Sequence, residues 1–444
     1  MKKLNTHRLI LALASVTVIS LAAWWWIPDL TIARATIIAA AYLVLCLSEV
    51  VPPFVPTIVL LVMTPLLLGP LEARFQVDAV LTWPAKPITA LFAGGMALGV
   101  AAQRHGVDAS IAALVLRVAG TRTRNLVALV LIGTAILSMW MSNIAAAAMM
   151  IAAVRPLTHG QATDASFRRG VLLAIAIGAN LGGIGTPIGT GANAIAIAAA
   201  ESRHACSFLH WMAFAVPLVA AMLVVAFVLV VVRCRVAGVL AARAAAPFAL
   251  GRAGQAVVIL FFVAVAAWLS EPLHDVSAPL VALAVMAILF GTGLLGCDDL
   301  GALDWSTLGL IAGGLCLGEL IEAAGLLARI ADVPWSDYPR IVWLGGLVLA
   351  SALMSAVMSN TATVALLVPL GMAIEPSPST AILIAVGASF GMPFSISTPP
   401  NAMVHGTGEV SSRDLVWIGV PLLIIGCTVV TLTGPLVLSL FGVP

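Results

Sequence analysis

The chain carries one polar cluster twice, each time in the middle of a long apolar run. In the first copy Ser138 precedes Ser142-Asn143 by four positions, within Leu137-Ser-Met-Trp-Met-Ser142-Asn143-Ile-Ala-Ala-Ala-Ala-Met-Met150. In the second, Ser355 precedes Ser359-Asn360 by four, within Met354-Ser-Ala-Val-Met-Ser359-Asn360-Thr-Ala-Thr-Val-Ala-Leu-Leu367. Flanking matches keep the same order. Leu91-Phe-Ala-Gly-Gly-Met-Ala-Leu-Gly99 followed by Gly106 answers Leu310-Ile-Ala-Gly-Gly-Leu-Cys-Leu-Gly318 followed by Gly325, and 183–194 answers 391–402. The offsets of 219, 217 and 208 residues describe one unit duplicated with a small deletion, the construction of membrane carriers built from two repeats.

A chain of 444 residues that is 62% hydrophobic and 9% charged has more apolar surface than a water-soluble core can hide, so it belongs in a bilayer. Spans of about 20 apolar residues fall at 9–27, 33–49, 52–69, 84–117, 170–200, 211–232, 255–270, 278–296, 304–333, 379–405 and 414–441. Two further apolar stretches, 126–157 and 341–372, hold the Ser-Asn motifs. The expected fold class is an all-α integral membrane protein. A basic N-terminus ahead of the first run has signal-peptide character. The run ends in Trp24-Trp25-Trp26, an interfacial anchor with no small-residue cleavage site after it, and it is expected to stay as the first span. A net charge of +2 points to no nucleic acid. Cys46, Cys206, Cys234, Cys297, Cys316 and Cys427 are scattered, away from metal or redox spacing, and read as small apolar residues.

Each motif-bearing stretch is 32 residues, about 48 Å if helical against a hydrocarbon core of about 30 Å, and is too polar at its centre for one span. Arg117, Arg122 and Arg124 precede the first stretch, while Arg155, Arg168 and Arg169 follow it. By the positive-inside rule both flanks are cytoplasmic, which predicts a re-entrant hairpin with Ser142-Asn143 at its tip. With 341–372 treated alike, 11 spans run from a cytoplasmic N-terminus to an outside C-terminus in the inner (plasma) membrane. Of the 21 Lys and Arg, 14 then lie inside, 6 outside, and Arg104 within a span. Arg233, Arg235, Arg243 and Arg252 mark 233–254 as a cytoplasmic connector. It joins a first repeat, 1–232, containing broken helix 170–200, to a second, 255–444, containing broken helix 379–405. An odd number of crossings separates the halves, so the repeats are inverted.

Backbone inside a membrane must satisfy its hydrogen bonds internally, so a broken helix is tolerated there only where it lines a cavity. The run Gly182-Gly183-Ile184-Gly185-Thr186-Pro187-Ile188-Gly189-Thr190-Gly191 and the run Ser395-Ile-Ser397-Thr398-Pro399-Pro400 are such breaks. Helix ends exposed at tips and breaks present free amides, which suit an anion, and free carbonyls, which suit a cation. Oxygens of Ser138, Ser142, Asn143, Ser355, Ser359, Asn360 and Thr361 add hard, neutral ligands acceptable to an alkali ion. No Lys, Arg, Asp or Glu occurs in the four segments, so a multivalent anion held there needs helix termini and co-bound cations. Ser, Thr and Gly also serve helix packing, but here the cluster occurs twice at matched positions, each followed by a matched break. Glu49, Arg104, His105, Glu319 and Glu322 lie in or near spans. A paired structural role is expected for Arg104-His105 and Glu319-Glu322.

On these residues the chain resembles the divalent anion:sodium symporter (DASS) family, the sodium-coupled carboxylate and sulfate transporters of the ion-transporter superfamily. The resemblance implies a homodimer in which early spans of each half form a scaffold. Hairpins and broken helices would form a transport domain that moves as an elevator. It further implies C4-dicarboxylates such as succinate, citrate and related acids, or sulfate as substrates. By motif, a first sodium site would use Ser138, Ser142, Asn143 and backbone at Gly189. A second would use Ser355, Met358 (backbone), Asn360 and backbone at Ser397. Substrate carboxylates would meet Asn143, Thr190, Ser359, Asn360, Thr361, Thr398 and Pro399. Two departures stand out: Ile144 where the first motif of the family has Thr, and Gly191-Ala192 where a Pro-Pro pair is common.

Several alternatives carry contrary signs. No Gly-x-x-x-x-Gly-Lys-Ser/Thr loop occurs, which disfavours transport driven by ATP on this chain. A proton antiporter should place a carboxylate in the broken-helix core. A sodium-independent exchanger has less need of both Ser-x-x-x-Ser-Asn sets, and a channel less need of inverted repeats around a closed site. An enzyme is not expected. His7, His105, His159, His204, His210, His274 and His405 are dispersed, and only His405 approaches a motif, where it reads as a cytoplasmic-mouth residue. No cofactor is expected other than Na+ as the coupling ion.

Overall fold

The computed structural model describes residues 6–48, 50–158, 164–201, 206–239, 250–326 and 338–443. Glu49, His159, His204 and residues 240–249 of the connector, Arg243 among them, lie outside the described residues. In the first half come α1 (Thr6–Trp26), α2 (Leu30–Ser48), α3 (Val55–Leu68), a short α4 (Val77–Val80), α5 (Pro87–Arg104), α6 (Val107–Ala119), α7 (Thr123–Ser138), α8 (Asn143–Thr158), α9 (Ala165–Gly182), α10 (Gly191–Glu201) and α11 (Phe208–Cys234). The second holds α12 (Arg252–Leu269), a short α13 (Glu271–His274), α14 (Ala278–Gly291), α15 (Trp305–Ala323), α16 (Arg340–Ser355), α17 (Asn360–Ile374), α18 (Pro378–Ser389), α19 (Pro399–Gly406) and α20 (Ser412–Leu440). Among the described residues there is no strand, only an isolated bridge between Arg122 and Val239.

Four helices, α11, α12, α15 and α20, are each long and apolar enough to cross a bilayer. Polar punctuation sets where two of them begin: α11 starts on a Ser207/His210 capping box and α20 on a Ser411/Asp414 one. The motif helices are shorter. With 16 residues in each of α7, α8 and α16 and 15 in α17, none exceeds about 24 Å, less than the hydrocarbon core. They turn back at 139–142 and 356–359, as the two expected hairpins. The stretch 84–117, drawn from the sequence as one span, is two helices. Gly106 separates α5 from α6 at φ 67°, and its match Gly325 sits at φ 74° just beyond α15. Both occupy the left-handed region that a side chain disfavours, so the matched glycines mark matched bends.

The halves interlock. α5 packs on α14 and α12 from the second half, while α15 packs on α3 and α2 from the first. Close approach depends on the repeated Gly-Gly pairs. A Cβ at Gly94 would fall 2.7 Å from Ala282 Cβ, and one at Gly313 would fall 2.8 Å from the Tyr42 hydroxyl. Between these arms the hairpins and broken helices cross over in the same manner: α10 packs on α17 and α18, and α19 on α8 and α9. Asn180 Nδ2 donates to Asn401 Oδ1 at 3.0 Å, a buried bond from α9 to α19 that ties the two halves together.

Candidate functional site

Four interruptions of helix meet in one place: the tips at 139–142 and 356–359, and the breaks at 183–190 and 390–398. They enclose one side of a cavity of about 320 Å³, whose opposite wall is the face of α5 carrying Phe92, Met96 and Gln103. All seven residues expected to touch substrate, Asn143, Thr190, Ser359, Asn360, Thr361, Thr398 and Pro399, line it. So do Ser142, Gly189 and Ser397 from the expected sodium sets. Ser138, Ser355 and Met358 do not; they lie buried behind the cavity wall.

The second element of each interruption starts at the cavity, so four helix N-termini, those of α8, α10, α17 and α19, converge there. Each is capped by its own motif hydroxyl. Ser142 Oγ accepts from Ala145 N at 3.2 Å, Thr190 Oγ1 from Asn193 N at 3.3 Å, Ser359 Oγ from Ala362 N at 3.2 Å, and Thr398 Oγ1 from Asn401 N at 3.4 Å. The first amides of α8, α10 and α17 lack an intrahelical acceptor and favour an anion, whereas α19 opens with Pro399 and Pro400, which have no N–H. Among the lining residues there is no Lys or Arg, and the one carboxylate, Asp304, is taken up in capping α15 through Thr307 N at 3.0 Å and Thr307 Oγ1 at 2.6 Å.

Behind the tips, oxygens crowd together. Ser138 Oγ lies 2.7 Å from Asn143 Oδ1 and 2.7 Å from the Ala179 carbonyl, so a single hydroxyl proton faces two acceptors. In the second half Ser355 Oγ donates to Asn360 Oδ1 at 2.5 Å, and Ser397 Oγ donates to the Ala356 carbonyl at 2.6 Å. Neutral hydroxyl, amide and carbonyl oxygens at a helix C-terminus are the donor set a hard monovalent cation accepts.

The breaks are held open by two matched asparagines, one in each half, that lie near the ends of the matched ranges 183–194 and 391–402. Asn193 Nδ2 donates to the carbonyls of Gly183 at 2.9 Å and Thr186 at 2.8 Å. Its match, Asn401 Nδ2, donates to those of Met392 and Phe394, both at 2.9 Å. Their repetition at equal places was the available signal. Asn180, which has no polar match in the second half, gave none. Gly183 passes directly beneath the first motif, where a Cβ would fall 2.7 Å from Asn143 Oδ1 and 2.7 Å from Thr190 Cγ2.

None of the remaining ionisable candidates lines the main cavity. Arg104 pairs with Asp299, holding that carboxyl below the usual carboxylate range, and His105 Nε2 lies 2.8 Å from the Leu294 carbonyl. Glu319 pairs with Lys86 at 2.5 Å beside a smaller cavity of about 130 Å³ that Glu322 also lines. His405 Nδ1 lies 2.8 Å from the Val410 carbonyl at the end of α19. These are structural pairings at helix ends.

Comparison with known proteins agrees with this architecture. The model of the family described as CitMHS, citrate transporter, matches residues 42–376 and again 265–442. A protein described as an uncharacterized transporter from Haemophilus influenzae is 29% identical over 380 residues, covering 79% of this chain and 80% of its own. The sodium-dependent dicarboxylate transporter SdcS of Staphylococcus saprophyticus is 25% identical over 404 residues, 80% of this chain and 77% of its own. In fold, the chain is similar to the crystal structure of the YdaH transporter of Alcanivorax borkumensis. The TM-score is 0.56 at 16% identity, covering 88% of this chain and 98% of that one.

Proposed function

The chain belongs to the citrate transporter family CitMHS, and from that premise we propose that it is a sodium-coupled carrier of a C4-dicarboxylate such as succinate, working by an elevator motion. It is a membrane transporter of the citrate and dicarboxylate kind and not an enzyme. The observation that carries the finer proposal is the pairing, in both halves, of helix N-termini that open on one cavity with an oxygen cluster behind each hairpin tip.

Charge balance couples the two. Moving two carboxylates into a cavity without a basic side chain is costly unless the charge is neutralised. Amides at the starts of α8, α10 and α17 supply partial positive charge to the substrate, while Pro399 and Pro400 leave the start of α19 without them. Sodium at Ser138, Ser142, Asn143 and the Gly189 backbone, and at Ser355, Met358 backbone, Asn360 and the Ser397 backbone, supplies the rest. Asn143 and Asn360 belong to both sets, so a cation that fixes the amide oxygen turns the amide nitrogen toward the substrate carboxylate. Loaded in this way, the site holds substrate only with its ions, which is the requirement for symport.

The same proposal covers orientation and assembly: inverted halves at 1–232 and 255–444 joined by connector 233–254, an N-terminus in the cytoplasm, a C-terminus outside, the inner membrane, and a homodimer. Support for the orientation comes from the ion pairs. Five of the seven among the described residues, including Arg168–Glu409, Arg233–Asp414 and Arg340–Glu375, join two residues that charge placement puts on one side, and the other two each have a member, Arg104 or Glu319, within a span. On this orientation the cavity, bounded by Gln103, Asp304 and Thr307, opens toward the cytoplasm.

Uptake of labelled succinate into proteoliposomes, with and without an inward sodium gradient and with citrate, malate and sulfate as competitors, tests the proposal. Sodium-dependent accumulation is expected. Uptake that ignores sodium but needs internal dicarboxylate would make the protein an exchanger, and a turned-over Asn143 amide would then satisfy Ser138 without an ion.

A further inference from the structure

We propose that the pocket grips its substrate unequally, holding one carboxylate between the Thr361 hydroxyl and the start of α10 while packing the carbon chain against Ile144. It therefore favours dicarboxylates with alkyl substituents over hydroxylated ones. This rests on the carboxylate-carrier assignment above and names the substrate class within it.

The two halves differ at three matched cavity positions, Gly189 against Ser397 being one, and the other two differences are reciprocal. Where the second motif has Thr361, the first has Ile144; where the first break has Gly191, the second has Pro399. All four residues line the cavity. Donors are thereby gathered on one side. A Cβ at Gly191 would fall 2.7 Å from Thr361 Oγ1, so the Thr361 hydroxyl packs against Gly191 at the start of α10. Gly191 at that first helical position has an N–H without an intrahelical acceptor. Thr361 is 9% exposed and lines the cavity, and among the described residues its hydroxyl has no protein hydrogen-bond partner, so a donor faces the cavity free to meet a ligand. A carboxylate oxygen placed there would accept from both.

Across the cavity the corresponding pair has no donor. Pro399 lacks an N–H, so the start of α19 cannot repeat the contact made by α10. Ile144 replaces a hydroxyl with a branched hydrocarbon and leaves 47% of its surface open. Trp140, Met96 and Ile188 continue the apolar lining around it. A methyl group buried against this wall gains about fourfold in affinity, whereas a hydroxyl pressed there loses its water and finds no partner, at a loss of about tenfold.

The test compares succinate, 2-methylsuccinate and malate on the purified full-length protein in saturating sodium, by thermal-shift titration and by competition against labelled succinate uptake. In the wild type, 2-methylsuccinate should bind about fortyfold more tightly than malate, the product of the two effects. Ile144→Thr should bring malate level with or ahead of 2-methylsuccinate, and Ile144→Ala should erase the preference if the Thr variant does not fold. Thr361→Val should weaken all three acids by about tenfold and leave their ratio unchanged. Equal binding of malate and 2-methylsuccinate in the wild type, or an unchanged ratio in both Ile144 variants, would overturn the inference while leaving the carrier assignment intact if succinate is still transported. Failure of all three acids to bind would overturn the assignment and the inference together.

Discussion

Ile188 lies over Gly95, where a Cβ would come within 2.8 Å of its Cδ1, yet Ile396, at the matching place in the second half, is 77% exposed. The glycine matching Gly95 is Gly314, and it meets different partners: Ile195 Cδ1 at 2.7 Å and Ala365 Cβ at 3.1 Å from its Cβ position. One arm thus touches the tip side of the motif unit, and the other touches it further along.

That asymmetry predicts the contacts of the opposite state. For inverted repeats, exchanging the roles of the halves should place Ile396 on Gly314 and Met358 near Gly318, with Ala148 brought opposite Gly95. At Gly318 the contact moves from Pro369 to Met358, eleven residues, about 16 Å of travel at 1.5 Å per residue. Gly318 has room for a side chain, since its Cβ position is 4.0 Å from Pro369 Cγ. In a background without native cysteines, the pair Gly318→Cys and Met358→Cys should cross-link in a fraction of molecules that varies with sodium and succinate, and cross-linking should stop uptake. No cross-link under any combination of ligands would exclude this motion.

The Ser138 hydroxyl, with one proton between two acceptors at 2.7 Å, predicts a selective effect on the coupling ion. Ser138→Ala removes a cation ligand without opening the cavity, because Ser138 is fully buried behind its wall. The sodium concentration for half-maximal uptake should rise by about tenfold, the loss of one ligand of roughly 1.4 kcal/mol, with a smaller change in succinate affinity once sodium saturates. An unchanged sodium dependence would remove Ser138 from the ion site.

Asn401 satisfies two carbonyls of the second break and accepts from Asn180. Replacing it by Ala strands all three groups in a buried setting, where each unmade bond costs about 1–3 kcal/mol. A clearly lower melting temperature in detergent is expected, along with faster proteolysis in 390–398. Asn193→Ala should behave alike at 183–190, since its side chain holds the Gly183 and Thr186 carbonyls in the same way.

Much of this was legible in the sequence because it was written twice. Duplication located both hairpin tips and both breaks, and a 32-residue length too great for one span predicted the turn-backs that α7–α8 and α16–α17 make, whereas the bends at Gly106 and Gly325 fell inside stretches drawn as single spans. What stayed hidden was whatever depends on packing between the halves. Nothing local in Gly191 or Thr361 says that they touch, and Asn180 has no repeated partner to flag it. The reciprocal exchange of Thr361 for Ile144 and of Gly191 for Pro399 was visible as two unrelated departures. Only the crossing of α10 over α17 brings Gly191 and Thr361 together.

Asp414, 2% exposed at the start of α20, draws together charges from helices remote in sequence. Its Oδ1 lies 2.7 Å from Arg233 Nη2 on α11, and its Oδ2 lies 3.7 Å from Arg169 Nε on α9 while accepting from Ser411 Oγ at 2.6 Å. Removing Asp414 leaves two half-buried arginines without their shared carboxylate, at a cost on the order of 1 kcal/mol once their exposure to solvent is counted. Asp414→Ala should therefore lower the melting temperature and the yield of folded protein. Because the cluster is absent from the cavity wall, the succinate concentration for half-maximal uptake should be unchanged in the protein that does fold. A raised value at an undiminished melting temperature would instead assign these three helices a part in the transport cycle.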